Sequence, residues 1–188
     1  MAQAKSLTAV ELRRVLDYIA TRKHAQRNRA ILLSTAYSGM RCKEVAALTI
    51  GDVWTAEGGI RDEARLDAEQ TKGKHARTVF LPEKLRKELL AYLAGIDRSD
   101  TTRRLFATQK REGFTANTLA QYFHYLYKRA GVAGASSHSG RRTFITNLAA
   151  KGVGVRVLMS LAGHRNISTT QAYIDVNSDM MRRAVELV

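Results

Sequence analysis

One cysteine and one proline stand in 188 residues, and acidic side chains are outnumbered, 17 Asp and Glu against 31 Lys and Arg. A lone Cys42 closes no internal disulfide and supplies no thiolate zinc set, so a stapled secreted scaffold and a zinc finger are both excluded. A reducing compartment is implied. With a single proline, Pro82, and no Gly/Ser tract there is no linker, and no segment recurs at a fixed period, which excludes a solenoid. No apolar run nears the roughly 20 residues of a membrane span, and the opening MAQAKSLTAVELRR lacks a signal peptide's apolar core. One domain, cytoplasmic and without a membrane partner, is expected.

Positive charge is what the chain has in excess. The formal net charge is +14, laid over an ordinary composition of 45% hydrophobic and 26% charged residues, so it decorates a core rather than a disordered tail. A polyanion is required as partner, and nucleic acid is the foremost.

Helical periodicity dominates the pattern. Thr8-Ala9-Val10-Glu11 forms a capping box ahead of Leu12, Val15, Leu16 and Ile19 at helical spacing. A second helix is predicted from about Arg27 to Ser38 with Gly39 as its stop, and a short one from Arg41 through Leu48. Between about Gly59 and Leu81, GIRDEARLDAEQ and ARTVFLP flank Thr71-Lys72-Gly73-Lys74-His75, which predicts a two- or three-stranded antiparallel patch around a Gly-containing turn. Pro82 suits the first turn of a helix bearing Leu85, Leu89, Leu90 and Leu93. Leu119, Tyr122, Phe123 and Leu126 fall on one side of a helix near Ala116 to Arg129, a stripe that fits core packing. Further helices are predicted at about Gly140 to Lys151, Val155 to Ala162 and Thr169 to Asp175, with Gly163 ending the second and Ser168-Thr169-Thr170-Gln171 capping the third. A terminal amphipathic segment, Ser178 to Val188, puts Met181, Ala184, Val185 and Val188 on one face. The class is mostly α with a small antiparallel β-sheet, an α+β domain.

Three clusters carry chemistry. His138 and Arg141 lie three apart at the start of a helix, so both point toward one spot near its N-terminus, where an anion is favoured. His164 follows a helix-stopping glycine and Tyr173 lies nine residues later, a spacing able to bring an imidazole and a phenol to one site. Ser38-Gly39-Met40-Arg41-Cys42-Lys43-Glu44 opens a helix with arginine and sets a carboxylate three residues on, which by itself is a surface ion pair worth about 0.2–0.5 kcal/mol.

Taken together, the run Ser38 to Val53, the Lys72 turn, His138-Ser139-Gly140-Arg141, Gly163-His164 and Tyr173 have the order and spacing of the tyrosine recombinase (phage integrase) family, which the chain resembles from about Leu7 to Val176. The resemblance implies the catalytic-domain fold of the DNA breaking-rejoining enzymes and a role for each position. Arg41 and Arg141 would be the two catalytic arginines, Lys72 the lysine of the β-hairpin, His138 the partner of Arg141, His164 the second histidine and Tyr173 the nucleophile. Glu44 would be the acidic residue that orients the site. One departure is Ala162, where a leucine commonly precedes the glycine.

The implied chemistry accounts for those residue types. Attack on a DNA phosphodiester gathers negative charge on the non-bridging oxygens, which two guanidinium forks take up with paired hydrogen bonds. An arginine in such a role is worth about 10³ to 10⁵ in rate, and a lysine in its place keeps the charge but loses the fork. A phenol with a pKa near 10 is ionised in only about one molecule in a thousand at neutral pH, so Tyr173 needs a proton acceptor, for which His138 is the candidate. The departing 5′-oxygen needs a proton, which the family pattern assigns to Lys72; Lys74, two residues along the same turn, is the alternative and otherwise a phosphate contact. His164 would donate a hydrogen bond to the phosphate. This scheme requires no metal, and the sequence offers no carboxylate cluster or HExxH spacing for one; the covalent tyrosyl phosphate would conserve the energy of the broken bond, so no nucleotide cofactor is expected either.

Double-stranded DNA is thus the expected partner. Lys43, Lys74, Arg77, Arg142 and Arg165 are the candidate contacts, with binding that weakens in salt as counterions are released. Residues 1–188 are expected to form the catalytic domain alone, without the N-terminal core-binding domain of most members, as in short fimbrial-switch invertases or an excised domain. Residues 177–188 are a candidate tail for docking into a neighbouring subunit of a synaptic tetramer, with packing on their own domain the alternative. Three other activities stay open at this point: a relaxing enzyme of the type IB topoisomerase kind, an inert DNA-binding or architectural module, and a nuclease using His138, His164 and Lys72 without a covalent step.

Overall fold

The central helix of the molecule is among its least amphipathic. In the computed structural model, which describes residues 4–71, 73–108, 111–174 and 178–186, α2 (Ala25–Ser38) buries apolar Ala30, Ile31, Leu32 and Leu33 together with polar Asn28, Ser34, Thr35 and Ser38. A helix buried on several sides must be surrounded, and α1 (Ala9–Ala20), α5 (Glu83–Leu93) and α7 (Ser139–Ala150) all pack on it. Its hydroxyls are satisfied within the helix: Ser34 donates to the Ala30 carbonyl at 2.8 Å, Thr35 to that of Leu32 at 2.7 Å and Ser38 to that of Ser34 at 2.5 Å. Small side chains let the neighbours come close. At Gly140 of α7 an added Cβ would lie 2.0 Å from Thr35 Oγ1, so only glycine fits that crossing.

The remaining elements follow the periodicity read from the sequence, with instructive departures. Thr8 caps α1 as a full capping box with Glu11, and α2 ends in the left-handed conformation at Gly39. Next come α3 (Cys42–Ala47) and α4 (Ile50–Val53), the latter capped by Thr49 and Asp52 and not anticipated from its β-branched, glycine-containing sequence. Strands β1 (Glu63–Leu66) and β2 (Arg77–Phe80) pair antiparallel with Glu63 opposite Phe80 and Leu66 opposite Arg77. Of the optional third strand, the described residues show only a single bridge, Trp54 to Ile60. Pro82 is the cap before α5, and α6 (Ala116–Arg129) turns Leu119, Phe123 and Leu126 into the core as expected.

Beyond α7 lie α8 (Val155–Ala162), α9 (Ile167–Gln171) and α10 (Ser178–Val185). Here the expectation of a helix from Thr169 capped by Ser168 is corrected. Asn166 is the cap, its side chain accepting from the Ser168 backbone at 2.9 Å, so α9 starts two residues earlier and ends before Tyr173. Asp175, the predicted end, lies outside the described residues. On α10, Met181 and Val185 are exposed, while Val188 also lies outside the described residues. Among the described residues no helix is long and apolar enough to cross a membrane.

Candidate active site

The end of a helix leaves its last carbonyls without partners inside the helix. At the end of α8 three arginines supply them from three different elements. Arg77 on β2 donates through Nη1 to the Leu161 carbonyl at 2.9 Å. Arg141 in the first turn of α7 donates through Nη2 to Ala162 at 2.5 Å, and Arg41 at the cap of α3 donates through Nη2 to Gly163 at 3.1 Å. Three consecutive carbonyls thus meet three cations, at the helix terminus where the macrodipole favours positive charge. Gly163, at φ +59°, turns the chain in the left-handed conformation that ends α8 and sets His164 beside the cluster.

One carboxylate ties two of these cations together. Glu44, fully buried, accepts from the Arg41 backbone N–H at 2.7 Å and from Arg41 Nη1 at 2.9 Å. It also accepts from Arg77 Nε at 3.1 Å and Nη2 at 2.8 Å, one on each oxygen. Burial pushes its pKa up, but the hydrogen bonds and charges of Arg77 and then Arg41 outweigh this and hold it below 4.5. Three guanidinium groups against one carboxylate leave 3 − 1 = +2 in the cluster.

Burial, and after it this concentration of positive charge, depresses the pKa values of Arg141 and His164. Arg141, only 5% exposed and also donating to the Gly39 carbonyl at 2.6 Å, has its pKa lowered to about 9 by burial and then by the charge of Arg41, and stays protonated at neutral pH. For His164, burial followed by the charges of Arg141, Arg41 and Arg77 lowers the pKa to about 4, so its ring is neutral at pH 7. Its Nδ1 shares a 2.9 Å hydrogen bond with Thr170 Oγ1, leaving Nε2 as the second polar edge of the ring. Tyr173 stacks on this imidazole with centroids 5.8 Å apart and planes inclined by 25°, and Arg142 covers the Tyr173 ring at 5.1 Å. An open cleft of about 620 Å³ is bordered by Arg41, Arg77, His164 and Arg165 and by Thr71 and Gly73 of the β1–β2 connection. A cleft bordered by unbalanced cations is suited to an anion.

The model of the phage integrase family matches residues 5–180. The chain belongs to the phage integrase family. It is 30% identical to tyrosine recombinase XerA of Pyrococcus furiosus over 185 residues, 97% of this chain and 61% of that protein. The fold is that of a crystal structure of XerA recombinase, with a TM-score of 0.77 at 26% identity over 100% of this chain and 66% of that one. It also matches the Tn1549 transposon integrase solved in complex with circular intermediate DNA, with a TM-score of 0.75 at 21% identity over 99% and 67% of the two chains. The chain spans about three fifths of the length of the XerA proteins it matches.

Within this integrase fold, Arg41, Glu44, Arg141, His164 and Tyr173, dispersed over more than a hundred residues of sequence, are brought together: Arg41 and His164 line the cleft, Glu44 pairs with Arg41, Tyr173 stacks on His164, and Arg141 binds the Ala162 carbonyl beside them. His138 is exposed at the head of α7, three residues before Arg141. Lys72 lies outside the described residues, although its neighbours Thr71 and Gly73 border the cleft. Lys74, exposed and at φ +53°, belongs to the same connection. Of the anticipated DNA contacts, Arg165 is exposed at the cleft and Arg142 is half-buried on Tyr173. Two others are engaged internally. Lys43 donates to the Thr71 carbonyl at 2.8 Å, tethering the loop that carries Lys72, and Arg77 is committed to Glu44 and Leu161. Thr170 and Asn166 were not anticipated. Asn166 had a readable signal, a preferred cap residue two positions after His164, whereas nothing in the pattern marks Thr170 as its hydrogen-bond partner.

Proposed function

We propose that this domain breaks and rejoins duplex DNA at specific sites through a transient bond to Tyr173. The supporting observation is the +2 guanidinium cluster at a cleft lined by a neutral His164, on whose ring Tyr173 stacks. The Tyr173 oxygen attacks the phosphorus of a backbone diester, its proton passing to His138. The bond from phosphorus to the 5′-oxygen breaks, that oxygen takes a proton from Lys72 or Lys74, and the product is a 3′-phosphotyrosine. Arg41 and Arg141 bear the charge that grows on the non-bridging oxygens, and His164, neutral, donates a single hydrogen bond from Nε2. Rejoining is the same sequence reversed with a second 5′-hydroxyl. Exposed Lys74 and Arg165 contact flanking phosphates, and exchange of strands takes place between copies of the chain assembled on DNA, in the cytoplasm.

The test is incubation with a nicked duplex bearing candidate sites, followed by a denaturing gel. A protein–DNA adduct that disappears in Tyr173→Phe is the expected result. Strand cleavage that survives Tyr173→Phe would replace the recombinase with a nuclease.

A further inference from the structure

We infer that Arg77 is a positioning residue of the cleavage site, one that fixes Glu44 and the end of α8 rather than gripping DNA. The inference rests on the DNA-cleaving reading above and adds a residue to it. All three guanidinium nitrogens of Arg77 already have acceptors: Nε and Nη2 take the two oxygens of Glu44 at 3.1 and 2.8 Å, and Nη1 takes the Leu161 carbonyl at 2.9 Å. The side chain is 12% exposed, whereas Lys74 and Arg165 stand in solvent. The chain opposite is shaped around it, since a Cβ at Gly163 would lie 2.9 Å from Arg77 Cδ.

The consequence is geometric. Glu44 is the group that orients Arg41, and Leu161 is followed by the two residues whose carbonyls hold Arg141 and Arg41. Through Glu44 and Leu161, Arg77 therefore sets the relative place of both phosphate-facing arginines and of His164 just beyond them. A single planar fork is needed because the two targets lie on different elements, and an ammonium serves only one such direction well.

The test compares Arg77→Lys and Arg77→Met with wild type in three measurements: affinity for duplex DNA as a function of salt, single-turnover cleavage of the nicked duplex at saturating DNA, and NMR titration of the His164 ring. Arg77→Lys, which keeps the charge, should bind DNA with unchanged affinity and salt slope, while cleavage in both variants falls about 100-fold, as misplacement of reacting groups by about 1 Å does. The His164 pKa should rise in Arg77→Met, where one of the charges depressing it is gone, and stay low in Arg77→Lys. Should the methionine variant fail to fold, the lysine variant carries the test alone: slow cleavage with a low His164 pKa is the supporting result. Wild-type cleavage by Arg77→Lys overturns the inference, as does a salt slope reduced by about one with cleavage at saturation intact, the signature of a lost phosphate contact. If wild type itself forms no adduct, the cleavage reading fails separately. The positioning of His164 by Arg77 is then judged by the chemical shifts of the His164 ring in Arg77→Lys, which keeps the charge: unchanged shifts sink it.

Discussion

Guanidinium groups reach the site from α3, β2 and α7, and each is fixed by a carbonyl, two of them also by Glu44; Tyr173, by contrast, follows the five-residue α9 and rests on ring contacts with His164 and Arg142. Moving an arginine orphans a buried carbonyl or carboxylate, at about 1–3 kcal/mol for each neutral group and more for the charged one. Moving the tyrosine gives up an aromatic stack and a cation–π contact, each worth about 0.5–1.5 kcal/mol. The cationic half of the site is held by more and stronger contacts than the tyrosine half. That division fits the proposed reaction, in which charge is met at a fixed point while the attacking oxygen is bonded to phosphorus and then released.

Arg141→Lys should break the cationic half most severely. One ammonium cannot reach both Gly39 and Ala162 and also form a paired contact to phosphate, so single-turnover cleavage should drop by about 10³-fold or more, with a lower melting temperature by calorimetry. A drop smaller than about tenfold would place the charge-bearing group elsewhere.

Glu44→Gln removes the carboxylate from among three cations and should destabilise the fold by about 3–5 kcal/mol, read from urea unfolding at neutral pH. The pH dependence sharpens the comparison. Glu44 has a folded pKa below 4.5, so its contribution is present above that value and is lost as pH falls through the folded pKa. His164 acts in the same sense: its pKa drops from 6.5 to about 4 on folding, so the unfolded chain takes up the proton first and stability declines as pH falls through that window. Wild type should lose stability from about pH 6.5 downward, and Glu44→Gln should flatten only the portion below 4.5.

The smallest effect belongs to the tyrosine half. Asn166→Ala deletes the cap of α9 at a cost of about 1 kcal/mol. Cleavage should fall by no more than about tenfold, with faster amide exchange confined to α9. A collapse of activity as deep as that of Arg141→Lys would show that Tyr173 is as rigidly placed as the arginines.

How much of this could be read in the residues follows the same division. The core helices were legible because their signals are local: Thr8 and Glu11 cap α1, and Leu119, Phe123 and Leu126 repeat on one face of α6. The β1–β2 pair was legible from its alternation, but α4 was not, since Ile50-Gly51-Asp52-Val53 has low helix propensity and depends on the Thr49–Asp52 cap. The site residues were recognisable by type and spacing through the family resemblance. Their engagements were not: that Arg77 meets Glu44 across 33 positions, or that Leu161, Ala162 and Gly163 each receive one arginine, is a property of packing between elements with no periodic trace in the chain.

Gly140, the point where α7 lies against α2, carries this contrast into the body of the molecule. Arg141 is its immediate neighbour, so the depth at which that guanidinium sits is governed by a missing methyl group one residue away. An alanine there would lever α7 outward and lift the arginine from the Gly39 carbonyl, and removing the Thr35 hydroxyl on the facing helix would relieve only part of the clash, since Thr35 Cβ would still lie 2.9 Å away. The strength of the anion grip is in this sense adjustable by steric means at the helix crossing, with every charge in the cleft left as it is.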